Sequence, residues 1–186
     1  MVVHRDDPLQ RVPMSWEQYL KLPERPRAEW VNGVAVIMNA PPAFGHGDCA
    51  VRLAASLVNA LPDLYVVSEV RLWVAEDILR LPDVMVTDSR PKDDWAVAVS
   101  EPPLMVAEVL SPSTRSEDMV VKAVEYARAG IGQYWIVDPE QRTIEVLRNI
   151  EGSWHSFAVL DDDNPELTVV LADRPVSLDL RRVLRS

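Results

Sequence analysis

Two carboxylates interrupt apolar segments of the sequence. Glu108 lies within the apolar run LMVAEVL at positions 104–110, and Asp83 follows Pro82 in LRLPDVMV. Because an unpaired buried carboxylate is costly, each must be paired, hydrogen-bonded or bound to a metal. For either residue alone, a structural salt bridge is the simpler interpretation. Two such residues on adjacent strands favour a shared cation, and Mg²⁺ commonly binds through one or two carboxylates together with water and substrate phosphates.

A lysine follows these acids on the helix that the sequence predicts best. Residues 114–129 are predicted to form this helix, which begins with a capping box of Thr114 and Glu117. Its spacing places Lys122 at the rim of the apolar face, from which the long side chain can reach back over a sheet. The alternative is an i,i+4 pair with Asp118, which contributes about 0.3–0.5 kcal/mol on a helix surface. The predicted apolar face consists of Val120, Ala123, Val124, Ala127 and Ile131.

The elements around these residues predict an α/β protein. The helix lies between two apolar strands, at 104–110 and 133–137, and a βαβ sequence of this kind implies a parallel pair. Asn32-Gly33 within 28–38 predicts a hairpin, which adds antiparallel strands. The expected fold class is therefore α/β, a mixed β-sheet flanked by helices.

Two further helices are predicted before these elements. A short one over 15–22 is capped by Ser15. A longer one over 48–60 follows a loop that contains His46. A histidine between two glycines is interpreted as a turn residue, and a ligand or base is the alternative. The predicted apolar face of the longer helix consists of Val51, Ala54, Ala55, Val58 and Leu61.

Length and composition limit the classes of protein. The 186 residues predict a single domain over 1–186, with a core at about 15–160. The one cysteine, Cys49, cannot form an internal disulfide and fits a reducing, cytoplasmic compartment. No apolar run approaches the ~20 residues of a membrane span, so no membrane partner is expected.

The net charge of −10 bears on nucleic-acid binding. Residues 61–118 carry twelve acids and five bases, so the excess negative charge lies in the middle third. An acidic protein repels phosphate backbones at long range, which argues against a general nucleic-acid coat protein. An acidic solvated surface is the simplest interpretation, and a site for a divalent cation is the alternative.

The order of these motifs resembles the Uma-two family, restriction-endonuclease-like bacterial proteins of the PD-(D/E)XK nuclease superfamily. The resemblance covers roughly residues 16–148. Its strongest part is VAEVLSPSTRSED with Glu108, followed by Lys122 and then QYWIVDP. The N-terminal part agrees as well, because Glu29 precedes the hairpin Asn32-Gly33 and His46 precedes the long helix.

The resemblance implies a site. Asp83 and Glu108 would bind Mg²⁺ or Mn²⁺, helped by the backbone carbonyl of Val109, and Glu29 would be a third acid. Lys122 would polarise the attacking water or stabilise charge on the phosphate. The usual superfamily pattern has lysine two residues after the second acid, where this sequence has Leu110. The resemblance therefore implies that the lysine has moved to the following helix.

The resemblance also implies a function, a divalent-metal-dependent endonuclease that hydrolyses phosphodiester bonds of DNA. The alternative is a catalytically silent domain that binds a partner, which the charge of −10 favours. A sugar hydrolase with paired carboxylates ranks last, because it gives no role to the lysine. Edge strands make a homodimer plausible. Asp138, at the end of the second apolar strand, either caps that strand or joins the acidic site.

Overall fold

A computed structural model describes residues 9–41, 43–93, 96 and 98–185. Its strands form two six-stranded sheets and a hairpin. In spatial order, the first sheet contains β1 (Leu9–Pro13), β3 (Val34–Met38), β2 (Arg27–Val31), β6 (Ile78–Arg80), β5 (Arg71–Ala75) and β8 (Ala98–Val99). The second contains β12 (Ser153–Leu160), β11 (Thr143–Ile150), β10 (Gln133–Asp138), β9 (Met105–Val109), β7 (Val84–Thr87) and β4 (Tyr65–Ser68). The hairpin pairs β13 (Glu166–Leu171) with β14 (Arg174–Asp179).

The helices are short, apart from one. They are α1 (Trp16–Tyr19), α2 (Phe44–Ala60), a π-helical segment (Glu117–Lys122) that continues directly into α3 (Ala123–Arg128), and α4 (Leu180–Val183). Strand β9 is parallel to β10, and antiparallel pairs flank them. The predicted fold class is confirmed: this is an α/β protein with mixed sheets and flanking helices. In the part of the chain that the structure describes, no helix is long and apolar enough to cross a membrane.

The predicted hairpin over 28–38 is confirmed. Strands β2 and β3 pair antiparallel, with Val31 opposite Val34. The turn between them places Asn32 at φ +50° and Gly33 at φ +77°. Both residues thus occupy the left-handed region that a type I′ turn requires, which is why Asn-Gly suits it. This hairpin fixes the position of Glu29 on the first sheet.

Alternation along β9 decides where Glu108 points. Met105, Ala107 and Val109 pack in one apolar cluster with α2, the C-terminal hairpin and α4. Val106 belongs to a second cluster with Ala123 and Tyr126 of α3. Because side chains alternate between the two faces of a strand, Glu108 points with Val106 toward α3.

Helix α2 begins earlier than predicted and buries a different face. It starts at Phe44, so His46 lies in its first turn rather than in a loop. Val51 and Val58 of the predicted face are 69% and 52% exposed. The buried stripe is instead Cys49, Leu53, Leu57 and Leu61. This i,i+4 series carries three leucines, so it buries more apolar surface against the second sheet than the predicted face would.

The helix predicted over 114–129 differs from the prediction in the same way. Asp118 and Lys122 are buried, whereas Val120 and Val124 are 63% and 47% exposed. A π-helical turn closes i→i+5 hydrogen bonds, so the rotation of 100° per residue behind the prediction does not hold there. The predicted capping box is also wrong, since the Glu117 carboxylate binds Arg11 and Arg80 instead.

Candidate active site

Glu108 is buried against the helix that follows its strand. It is 2% exposed, and its Oε1 accepts hydrogen bonds from Tyr126 Oη at 2.8 Å and Lys122 Nζ at 3.1 Å. Burial raises the pKa of Glu108 well above its ordinary value, and repulsion from Asp118 and Asp83 adds to this rise, while Lys122 opposes it. Burial and the neighbouring carboxylates thus disfavour the ionised form of Glu108, and Lys122 favours it.

Lys122 lies among three carboxylates. Its Nζ is 2.9 Å from Asp118 Oδ1, 3.1 Å from Glu108 Oε1 and 3.2 Å from Glu29 Oε1. Burial alone would lower the pKa of Lys122, but these carboxylates raise it well above its ordinary value. The lysine is thus a buried ammonium. It reaches Glu108 as predicted, and it also forms the i,i+4 pair with Asp118 that was the alternative.

Asp118 is held in this cluster mainly by its ion pair with Lys122. Asp118 Oδ1 is close to Lys122 Nζ, but it has no well-directed hydrogen-bond partner among the described residues. Burial raises the pKa of Asp118 above its ordinary value, although Lys122 and Thr114 lower it. The ammonium of Lys122 therefore balances the charge of this buried carboxylate.

Glu29 lies behind the lysine and not in the wall of the cleft. Its Oε2 accepts from Arg80 at 2.8 Å, and its Oε1 accepts from the N–H of Leu81 at 3.0 Å. Burial would raise the pKa of Glu29, but Lys122 and Arg80 lower it below its ordinary value. Glu29 is therefore a firmly ionised anchor for Lys122.

Arg80 joins the first sheet to the helix, and the sequence reasoning did not identify it. Its side chain is fully buried. It binds Glu125 through two hydrogen bonds of 2.6 and 2.8 Å, and it also reaches Glu29 and Glu117. The sequence contains the same indication as for Glu108, because Arg80 is a charged residue within the apolar stretch Ile78–Leu81.

Asp83 lies next to His46 in the same cleft as Glu108. Asp83 Oδ2 accepts from the N–H of Val109 at 2.8 Å and lies 3.2 Å from His46 Nε2. Burial raises the pKa of Asp83, but His46 and the Val109 N–H outweigh it and hold the pKa below its ordinary value. Burial lowers the pKa of His46, while Asp83 raises it above its ordinary value. His46 thus lies in the first turn of α2 and lines the cleft beside Asp83.

These residues line one cleft of about 210 Å³. Asp83, Glu108, Asp118, Lys122 and His46 contribute to its wall. Asp138 does not, since it binds Arg115 through two hydrogen bonds of 2.8 and 2.9 Å and caps the turn after β10. The structure therefore brings three of the predicted site residues, Asp83, Glu108 and Lys122, into one cleft, with Glu29 behind it, and separates Asp138 from them.

The donors in this cleft are chemically suited to a hard divalent cation. Among the described residues, no three His, Cys, Asp or Glu side chains form a preassembled metal cluster. Glu108 and Asp83 nevertheless present carboxylates to one cleft, and carboxylate, carbonyl and water oxygens are the ligands that Mg²⁺ takes.

Comparison with known proteins adds a family and a fold. The family model Uma2, described as "Putative restriction endonuclease", matches residues 16–179. The structure is similar to the "putative nuclease belonging to DUF820 from Anabaena variabilis ATCC 29413", with a TM-score of 0.74 and 21% sequence identity. That match covers 92% of this chain and 97% of the other. None of the curated proteins matches the chain.

Proposed function

Because this chain belongs to the Uma2 family, we propose that it is a divalent-metal-dependent endonuclease that hydrolyses phosphodiester bonds of DNA. One observation carries the proposal. Lys122 Nζ lies 3.1 Å from Glu108 Oε1, in the cleft that Asp83 also lines. Two acids and a lysine are the groups that the resemblance implies for the nuclease site.

The residues take separate roles in this proposal. Asp83 and Glu108, helped by the carbonyl of Val109, would hold Mg²⁺ or Mn²⁺. A bound ion of this kind lowers the pKa of a water and acts as a Lewis acid toward the phosphate. Lys122 places a buried ammonium where negative charge develops on the phosphate, which is electrostatic stabilisation by a fixed group. Glu29 and Asp118 hold this ammonium in position.

His46 acts through Asp83. Its Nε2 lies 3.2 Å from Asp83 Oδ2, the same oxygen that accepts the N–H of Val109. These two contacts fix the carboxylate and leave its other oxygen, Oδ1, for the cleft. His46 is therefore a positioning residue in the proposal, and a group next to a metal ligand is commonly important for affinity.

Cleavage of DNA tests the proposal. Supercoiled plasmid and single-stranded DNA are incubated with Mg²⁺ or Mn²⁺, and in EDTA, with the wild type and Glu108→Gln. We expect metal-dependent cleavage that is at least about 100-fold slower in Glu108→Gln, because a neutral amide neither attracts the ion nor balances Lys122. Glu166→Gln, an exposed glutamate at the start of β13, is the matched control. Equal rates for Glu108→Gln and wild type would reject the site.

A second candidate is a catalytically silent domain that binds a partner. The net charge of −10 favours it, since a duplex-binding surface is usually basic. Calorimetric measurement of metal binding, combined with the cleavage assay, distinguishes the two candidate functions. Metal binding that is lost in Asp83→Ala, without cleavage of any DNA by the wild type, would support the silent domain.

A further inference from the structure

A second cleft lies on the outer face of the first sheet. Along β2, Glu29 points to Lys122, whereas Ala28 and Trp30 pack with Tyr19 in a separate cluster on the other face. The cleft on that outer face has a volume of about 220 Å³ and is lined by Trp16, Tyr19, Trp73 and Arg71, among others. Pockets for drug-sized ligands run from roughly 300 Å³ upward, so this one suits a single ring system.

Aromatic rings form its wall. Trp16 and Trp73 have ring centroids 5.1 Å apart at 56°, and Trp16 stacks on Tyr19 at 5.3 Å and 18°. Trp16 and Trp73 are only half-buried, so part of each indole remains accessible in the cleft. Nucleic-acid bases stack on accessible aromatic rings of this kind regardless of base identity.

Arginines connect this cleft to the candidate active site. Arg71 lines the aromatic cleft and also an adjoining depression of about 200 Å³, which it shares with Arg25 and Arg27. Arg27 in turn lines the cleft that contains Asp83 and Glu108. The aromatic cleft and the depression thus share Arg71, and the depression and the candidate active site share Arg27.

Arg25, Arg27 and Arg71 form a strip between the two clefts, here called the arginine strip. Its net charge is opposite in sign to that of the whole protein. Two carboxylates share the depression with the three arginines. Glu69 lies 3.0 Å from Arg27 and 3.7 Å from Arg25, and Glu24 lines both the depression and the aromatic cleft. The strip retains an excess of positive charge in a chain of net charge −10. The Arg25 side chain is 70% exposed and available to a polyanion.

We propose that the aromatic cleft is a base-stacking subsite for single-stranded DNA, and that Arg25, Arg27 and Arg71 bind its phosphates on the way to the candidate active site. The inference rests on the proposed function. Bases inside a duplex have no free face, so stacking on side chains requires an unpaired strand. Stacking together with a basic track is the usual basis of sequence-independent binding to single strands.

Binding in EDTA tests the subsite without any cleavage. A fluorescein-labelled dT 12-mer is titrated with the wild type, Trp73→Leu and the control Tyr65→Leu, and binding is followed by anisotropy. Tyr65 is an exposed aromatic residue on β4, at the edge of the other sheet. We expect Trp73→Leu to weaken binding about 5- to 100-fold, which corresponds to one lost stacking contact, and Tyr65→Leu to leave it unchanged.

The salt dependence of binding tests the arginine strip. Three phosphate contacts predict a slope of about −2 for log Kobs against log salt with a single strand. Arg25→Gln and Arg71→Gln should each reduce this slope by about 0.7, whereas the control Arg182→Gln should leave it unchanged. The Arg182 side chain is 83% exposed and lies on α4. Because Arg25 is also exposed, its variant tests the inference even where Trp73→Leu fails to fold.

The outcomes separate this inference from the proposed function. The subsite is supported if the wild type binds the 12-mer tightly and both Trp73→Leu and Arg25→Gln weaken this binding. If the wild type shows such binding but cuts no DNA, only the proposed function fails. The subsite is wrong if the wild type does not bind the 12-mer, or if both variants bind as the wild type does. It is also wrong if a duplex of the same length binds as tightly and responds equally to Trp73→Leu. Cleavage by the wild type in these cases would leave the proposed function standing.

Discussion

Lys122 Nζ lies 3.1 Å from Glu108 Oε1, although fourteen residues separate the two along the chain. The residue two positions after Glu108 is Leu110, which is 5% exposed and packs in the same apolar cluster as Tyr126. Leu110 therefore brings no charge to the candidate site, and the ammonium beside Glu108 belongs to the π-helical segment. The position of this segment therefore controls the candidate site.

Removal of the lysine charge should destabilise the protein strongly. Lys122→Met leaves the carboxylates of Glu29, Glu108 and Asp118 buried around an apolar side chain. We expect a loss of about 3–5 kcal/mol in the free energy of unfolding, measured by urea denaturation. The exposed Lys21→Met is the control and should change it by less than about 0.5 kcal/mol. A loss below 1 kcal/mol would show that the lysine is not the charge that holds this cluster.

The lysine and Asp118 should be strongly coupled. Adding Asp118→Asn to Lys122→Met removes one of the unpaired carboxylates, so the double variant should lose less stability than the sum of the two single variants. A double-mutant cycle should give a coupling energy of about 1–3 kcal/mol for residues in contact in one network. Additive losses would contradict the ion pair of 2.9 Å between them.

Arg80 should not tolerate lysine. Arg80→Lys keeps the charge but cannot bind Glu125 through two parallel hydrogen bonds while it also contacts Glu29 and Glu117. We expect a loss of about 1.5–3 kcal/mol in the free energy of unfolding, as for lost hydrogen bonds to charged groups. The exposed Arg182→Lys serves as the control. Equal stability of Arg80→Lys and wild type would contradict the role of Arg80 as the link between sheet and helix.

Asp138 should stabilise the fold in a manner that depends on pH. Burial would raise the pKa of Asp138, but hydrogen bonds from Arg115 and from the N–H groups of Gln141 and Glu140 lower it below its ordinary value. A lowered pKa in the folded state gives stability that is present above the unfolded pKa and lost as the pH falls through the folded one.

The measurement is urea denaturation of wild type and Asp138→Asn at several pH values. At pH 7 we expect Asp138→Asn to cost about 1–3 kcal/mol, and the difference should shrink below about pH 4, near the unfolded pKa of aspartate. Asp163→Asn, in an exposed loop, should show no such difference. A difference that stays constant from pH 7 to pH 3 would contradict this account.

Divalent metal should stabilise the wild type through the acidic cleft. Under the proposed function, Mg²⁺ or Mn²⁺ at about 100 times its Kd should add about 2.7 kcal/mol to the free energy of unfolding. Asp83→Asn should lose this increment, whereas Glu166→Gln should keep it. Thermal unfolding with and without the ion measures the effect. The same increment in wild type and Asp83→Asn would place the ion elsewhere.

The sequence predicted the hairpin over 28–38 and the strands at 104–110 and 133–137 well, because their signals are local. Glu108 stood out as a charge in an apolar strand, and Asn32-Gly33 has the backbone preference of its turn. The parallel pairing of β9 with β10 confirms the βαβ interpretation. In each case the pattern within one short segment is enough to predict the element.

The helices were predicted less well, because their buried faces depend on distant partners. Asp118 and Lys122 are buried only because Glu29 and Glu108 come from two different sheets. Arg80 likewise needs Glu29, Glu117 and Glu125 from separate elements. Periodicity treats a charged residue as exposed and cannot reveal compensation by residues far along the chain, nor a π-helical turn.

The measurement that tests the central claim most directly is the rate of DNA cleavage by Asp118→Asn compared with Asp118→Asn/Lys122→Met. The two proteins differ only in the lysine, and Asp118→Asn removes one of the carboxylates that Lys122→Met would otherwise leave without the ammonium, which limits the loss of stability. With Mg²⁺ or Mn²⁺ bound in both, the account predicts cleavage at least about 100-fold slower without the lysine. Equal rates in two folded, metal-bound proteins would contradict the assignment of Lys122 to the active site.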